Sequence, residues 1–466
     1  MNSLPKIKNF NILILAGFLL PLAYWIYLLF NSRMEIRWDS LEYQSLGILI
    51  QEKGWKEYFI TGPNREPVYP ALVALAMAIS NGTAMSDVRV LAMIQLSILF
   101  VTQVMTLVLL KRLKVHLLVA AGTVLYLGLS PALVNSALSM YSEIAVYPFV
   151  LTIVLLTAAA RVAGRSGRIG LVFLSGAGSG AFFFFATLVK GVFEGIAPCF
   201  LVAAVLQFRP HPRWTRSAIV FAAAALLVFY NGLSLYKAAN LRHNGNYTLT
   251  NRGAWALYGN TARRTQVMDK QLLLAAVAYA PGEGFCKSLL DDEACRFWSA
   301  GKSDEFGFNK LKELESRGLS GGTLDKELLR LSVRKAGEAP LQYGFFGFLE
   351  AAKMLFWETT KLGFVTYPVW LEKLFDTVWL KNGLRLLMGI LTLAAIVFAA
   401  VRLWTGRRKQ EPGGENELIY PVLLMVLFFA AFHAPFFVLT RYILPLAPLY
   451  LVLIAVLIDS CFNRRS

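Results

Sequence analysis

Acidic side chains are scarce in this chain. Its 466 residues include 29 Asp and Glu against 46 Lys and Arg, and charged residues together make up only 16%. A soluble domain carries about 25% charged and about 45–50% apolar residues. Here 56% are hydrophobic and the mean hydropathy is +0.54, which excludes an ordinary soluble globule. Cysteine is also rare, at four residues, too few for a disulfide-built scaffold. No repeat of fixed period and no low-complexity tract occurs, which removes arrays of stacked repeats.

The chain is rich instead in apolar runs of roughly 16 to 23 residues, most of them long enough for a ~30 Å hydrocarbon core. The first, Phe10 to Phe30, is too long for a secretory signal and lacks a small-x-small cleavage site, so a retained first helix is expected. The net charge of +17 is gathered into short gaps between runs. These hold Lys6 and Lys8; Lys111, Arg112 and Lys114; Arg161, Arg165 and Arg168; Arg209, Arg213 and Arg216; Arg402, Arg407, Arg408 and Lys409; Arg464 and Arg465. Short basic gaps mark cytoplasmic loops. The charge therefore reports topology and implies no nucleic-acid partner.

With the basic gaps inside, crossings are expected at 10–30, 88–110, 116–131, 143–160, 169–189, 192–208, 217–238, 382–401, 418–437 and 442–460. The fold class expected is an all-α polytopic membrane protein of about 10–12 transmembrane helices. Two apolar pieces remain, 68–80 and 345–380. The first is too short to span and reads as re-entrant or interfacial, which keeps 31–87 extracytoplasmic. The chain divides into a membrane module at 1–238, an α-rich extracytoplasmic domain at 239–344 and a C-terminal membrane module at 345–466. Cys199 and Cys461 sit in or beside apolar helices and read as packing residues. Cys286 and Cys295, nine apart in the extracytoplasmic domain, are expected to form a disulfide.

Ionisable groups at a membrane lip are costly and point to function. They collect on one expected face: Asp39, Glu42 and Tyr43, then Arg65, Glu66 and Tyr69, all in the first outer loop. Tyr141, Ser142 and Glu143 open the fourth crossing, and Lys190 and Glu194 share a tight turn. Tyr258 and Asn260 follow the seventh crossing, and His433, Arg441 and Tyr442 flank the last outer turn. Each has a plainer reading. Asp39 with Glu42 fits a helix cap, Lys190 and Arg441 fit snorkelling anchors, Glu143 suits a helix N-terminus, and His433 fits a hydrogen-bonded structural histidine.

In sequence order, the stretches Asp39-Ser40-Leu41-Glu42-Tyr43, Arg65-Glu66-Pro67-Val68-Tyr69-Pro70, Ser142-Glu143, Leu188-Val189-Lys190-Gly191, Leu257-Tyr258-Gly259-Asn260 and Arg441-Tyr442-Ile443-Leu444-Pro445 form a set. The set resembles the GT-C superfamily of membrane glycosyltransferases, in the branch of protein O-mannosyltransferases and the lipid A aminoarabinose transferase. The likeness runs from residue 10 to about 260 and over 440–448. Two departures stand out. Lys190-Gly191 replaces the commoner Arg-Pro, and no adjacent acidic pair lies in the first loop.

The resemblance implies a GT-C-like helical bundle with interfacial helices in the first outer loop. It implies a polyprenyl-phosphate-linked sugar as donor, transferred with inversion to a lipid, glycan or protein hydroxyl beside the bilayer. Asp39 would be the general base. Lys190 and Arg441, with Arg65 third, would meet the leaving phosphate, and Tyr43, Tyr69 and Tyr258 would line a sugar face. Glu42, Glu66, Glu143, Asn260, His433 and Tyr442 complete the substrate-binding set. No cofactor is fixed; a divalent metal stays open. The expected location is a bacterial inner membrane with the site facing the periplasm. The rival reading is a transporter or flippase of lipid-linked sugars, or a non-catalytic assembly subunit.

Overall fold

The computed structural model describes residues 8–62, 64–207, 212–250, 253–408 and 416–463. Lys6, Arg209, Lys409, Arg464 and Arg465, used above for topology, lie outside them. The chain is 81% helical. Among the described residues the only strands are Arg33–Met34 and Val365–Thr366, paired antiparallel with Arg33 opposite Thr366.

Among the described residues, seven helices are long and apolar enough to cross a membrane: Ile12–Asn31, Asp87–Arg112, Glu143–Arg165, Ile169–Thr187, Thr215–Asn244, Val378–Thr405 and Thr440–Phe462. The protein is thus a multi-pass membrane protein. Three of the expected crossings come out differently. The one at 116–131 is broken: Leu117–Leu129 and Pro131–Ala137 meet at a bend of 49°. Pro131 cannot extend the first helix and starts the second, where the Ser130 hydroxyl accepts from the Leu133 amide. The other two, 192–208 and 418–437, are the shorter helices Phe193–Gln207 and Asn416–His433. The leftover piece 68–80 is one 13-residue helix, Val68–Ser80, and 345–380 holds no helix long enough to span. The helices Pro212–Asn244 and Pro340–Lys353 run across the expected boundaries at 238 and 344.

Helices from Gly253 to Lys353 form a headpiece with two small cores of its own. In Gly321–Glu338, Leu324, Leu328 and Leu331 recur at helical spacing and are buried against Tyr258, Ala262 and Leu314. Around Trp298 and Phe346, Cys286 and Cys295 are joined in a disulfide with Cα atoms 5.9 Å apart. The headpiece is fastened to the residues after His433. Arg264 Nη2 donates to the carbonyls of Ala434 at 2.7 Å and Phe436 at 3.1 Å, and the Val438 amide donates to Glu350 Oε2 at 3.0 Å. These contacts hold the chain that leads to Arg441.

Candidate functional site

Asp39 opens the helix Asp39–Ile60, whose first turn also holds Glu42. Its side chain does not cap that helix. The cap position is Trp38, at φ 53° with no side-chain cap bond, a left-handed corner that is rare for a bulky residue. Asp39 Oδ1 instead accepts from Arg65 Nη2 at 2.5 Å, and Oδ2 accepts from Arg441 Nη2. Arg65 also donates through Nε to Glu42 Oε2 at 2.9 Å, and its guanidinium lies 4.8 Å over the Tyr43 ring. Asp39 and Glu42 thus present two carboxylates from one helical turn to one guanidinium fork. Tyr58 Oη fixes Arg65 from behind by donating to its carbonyl at 2.6 Å.

A second pair lies beside the first. Lys190 Nζ donates to Glu143 Oε1 at 2.7 Å. It sits 5.2 Å from the centre of the Tyr442 ring, and the Arg441 guanidinium sits 5.3 Å from the same ring. Tyr442 therefore joins the two cations. Glu143 begins the helix Glu143–Arg165, yet Ser142 makes no side-chain cap there and Glu143 is spent on Lys190. Glu66 Oε1 accepts from the Gly191 amide at 2.8 Å and so pins the turn that carries Lys190. A proline at 191, the commoner residue in the resembled family, would have no such N–H.

Residues remote in sequence thus converge: Asp39, Glu42, Tyr43, Arg65, Glu66, Glu143, Lys190, Arg441 and Tyr442. Others are not brought in. Tyr69 is wholly buried, donates to Gln95 Oε1 at 2.6 Å and packs edge-on to Tyr43 at 4.7 Å, so it supports Tyr43 and offers no ring face. Tyr43 is itself buried and donates to Ser142 Oγ at 3.1 Å. Tyr258 belongs to the headpiece core, packed with Ala262, Leu314 and Leu328. Asn260 Nδ2 donates to the Pro435 carbonyl at 2.9 Å, a fastening of the headpiece. His433 lies within electrostatic reach of Lys190 but stacks on Phe429 at 4.2 Å with Nδ1 against the Phe429 carbonyl, as a structural histidine does.

Burial pushes the Asp39 carboxyl up, but the charges of Arg441 and Arg65 outweigh it and leave the group lowered to about 2. Burial pulls the Lys190 ammonium down, and Glu143 more than offsets this, so Lys190 is held above the usual range. Asp39 and Lys190 are therefore both charged at rest. Asp304, which sequence reading missed, lies within electrostatic reach of Asp39 and Arg441; burial first, and then the Asp39 charge, push it up. It comes from the headpiece helix Ala300–Ser316, which packs so tightly on Gly259 that a Cβ there would fall 2.2 Å from the Ser303 carbonyl. No pattern in the sequence singles out one acid of that amphipathic helix.

A divalent cation needs several free oxygen ligands. Both Asp39 oxygens and Glu42 Oε2 face guanidiniums, and no cluster of three or more His, Cys, Asp or Glu able to hold a metal exists among the described residues. These residues do not fit a metal. No protein-family model matches the chain, and no curated protein is significantly similar to it.

Proposed function

We propose that the protein moves a sugar from a polyprenyl-phosphate donor to an acceptor hydroxyl, with inversion, at the periplasmic face of a bacterial inner membrane. One observation carries the reading. The Asp39 carboxylate is gripped by Arg441 beside Lys190, and Arg441 Nε is buried with no hydrogen-bond partner among the described residues. A buried donor without a partner is costly, and a phosphate oxygen would relieve it.

At rest Asp39 is a poor base, because two guanidiniums share its charge. A donor phosphate competes for Arg441 and Lys190 through stronger, charge-assisted bonds. As Arg441 turns to the phosphate, Asp39 regains proton affinity while Arg65 keeps it oriented. The acceptor oxygen then bonds to the anomeric carbon and its proton passes to Asp39. The bond from that carbon to the phosphate oxygen breaks. Its electron pair leaves on the lipid phosphate, where Arg441 and Lys190 meet the charge.

The test is to incubate the purified protein with a panel of polyprenyl-phosphate sugars and measure released polyprenyl phosphate. Release above protein-free controls, with sugar appearing on an acceptor, is the expected result. Movement of intact lipid-linked sugar across sealed vesicles without release would reassign the protein to transport.

A further inference from the structure

Behind the segment that delivers Arg441 lies a cavity of about 390 Å³. Its walls come from residues 279–284, the end of Pro340–Lys353, the start of Val378–Arg408, and residues 437–443. Three cations line it: Lys353, Lys381 and Arg385, with Lys353 only 6% and Arg385 only 7% exposed. Val378, Lys381, Asn382 and Arg385 recur at helical spacing, so one face of the helix supplies them.

The positive charge there is in excess. Two cations four residues apart on a helix repel. The carboxylates in the lining make their close ion pairs with other cations, Glu283 with Lys287 at 3.0 Å and Asp376 with Lys361 at 2.6 Å, and reach Lys381 only at longer range. Glu350 meets Lys353 at 3.0 Å but is shared with Arg263 at 3.3 Å. Arg385 donates to the Pro281 carbonyl at 2.7 Å, and Lys381, with Arg385 and Lys361 as cationic neighbours, has Asp376 and Glu283 in electrostatic reach but no ion pair with either among the described residues. Gly282, at φ 128°, makes room for this: a Cβ there would fall 1.9 Å from Arg385 Nη1. Phe356, Phe375, Phe437 and Ile443 give the cavity an apolar side as well.

We propose that this cavity binds the phosphate headgroup of a membrane lipid, at a site separate from Asp39. Buried cations beside apolar walls, where a spanning helix begins, suit an anionic head with its chains in the bilayer. Leu439 and Thr440 also line the cavity, so its occupant touches the segment that carries Arg441. The inference does not depend on the glycosyl-transfer reading.

The test uses the full chain in detergent, titrated with phosphatidic acid and followed by native mass spectrometry. One phosphatidic acid should bind saturably, with phosphatidylcholine binding far more weakly. Lys381→Ala should weaken binding about tenfold, and Lys190→Met should leave it within about twofold. As a second readout, phosphatidic acid should slow thiol labelling of Asn382→Cys in a Cys199→Ser, Cys461→Ser background. Binding lost with Lys190→Met but kept with Lys381→Ala would put the lipid at the Asp39 site and overturn the proposal. Displacement by equimolar inorganic phosphate would overturn a lipid as the source, and equal binding of phosphatidylcholine would overturn the phosphate chemistry.

Discussion

Asp39 and its two arginines make predictions that a helix cap would not. On the proposed reading Asp39→Asn keeps the shape of the side chain but removes the proton acceptor, and sugar transfer should then fall about 10²-fold or more. The melting temperature should also fall, because Arg65 and Arg441 are left beside a neutral group. A pure cap would show neither effect, since asparagine caps about as well as aspartate. The pH dependence has a definite sign. The carboxyl titrates at 3.8 when unperturbed and at about 2 here, so the folded protein binds this proton more weakly than the unfolded chain. Its contribution is complete above about pH 4 and is lost as the pH falls toward 2. Acid titration of stability in wild type and Asp39→Asn should therefore converge across that window. On the same proposal Arg441→Met should reduce turnover without slowing acceptor binding, measured as a drop in kcat at unchanged KM for the acceptor. The acids and bases of this site were legible one by one, since charges are rare enough in the chain to stand out. Their pairing was not. Nothing local says that Arg65 will divide itself between Asp39 and Glu42, or that Asp304 will arrive from the headpiece.

Between elements, Ile169–Thr187 packs backbone to backbone on Pro212–Asn244. A Cβ on Gly176 would lie 2.4 Å from the Phe221 carbonyl oxygen, and one on Gly180 would lie 2.2 Å from that of Ala225. The obstacles are backbone atoms, so neither helix can yield by turning a side chain. Small residues four apart, with Ser175 and Ser179 beside them, let two backbones approach as in other membrane helix pairs. Gly180→Val should destabilise the protein by about 1–3 kcal/mol, read as a lowered midpoint in detergent unfolding, whereas Gly170→Ala, with open space around it, should be almost silent. Long apolar runs predicted the spans well because length alone decides them. The bend after Leu129 escaped that reading, because a serine and a proline inside an apolar stretch are equally compatible with a straight kinked helix.

For the molecule as a whole, the basic gaps predict which loops face which side. A cysteine at Thr83 should react with an impermeant thiol reagent from outside intact cells, and one at Ser166 only after permeabilisation. The reverse pattern would invert the topology and place the Asp39 cluster in the cytoplasm. The broken helix carries a consequence for how the molecule is built. Glu358 accepts from Tyr126 Oη, Ser130 Oγ and the amides of Ala132 and Thr359, so the polar groups opened by the bend are met by a carboxylate 228 residues downstream of Ser130. During synthesis the first half of the bundle enters the membrane before that partner exists, and unmet groups in lipid are expensive. The bend is therefore a joint that can be closed only after Glu358 has been made. A chain stopped at residue 350 should leave Ala132→Cys open to a small thiol reagent, while the full chain protects it. Equal protection in both would mean that the joint closes without its key.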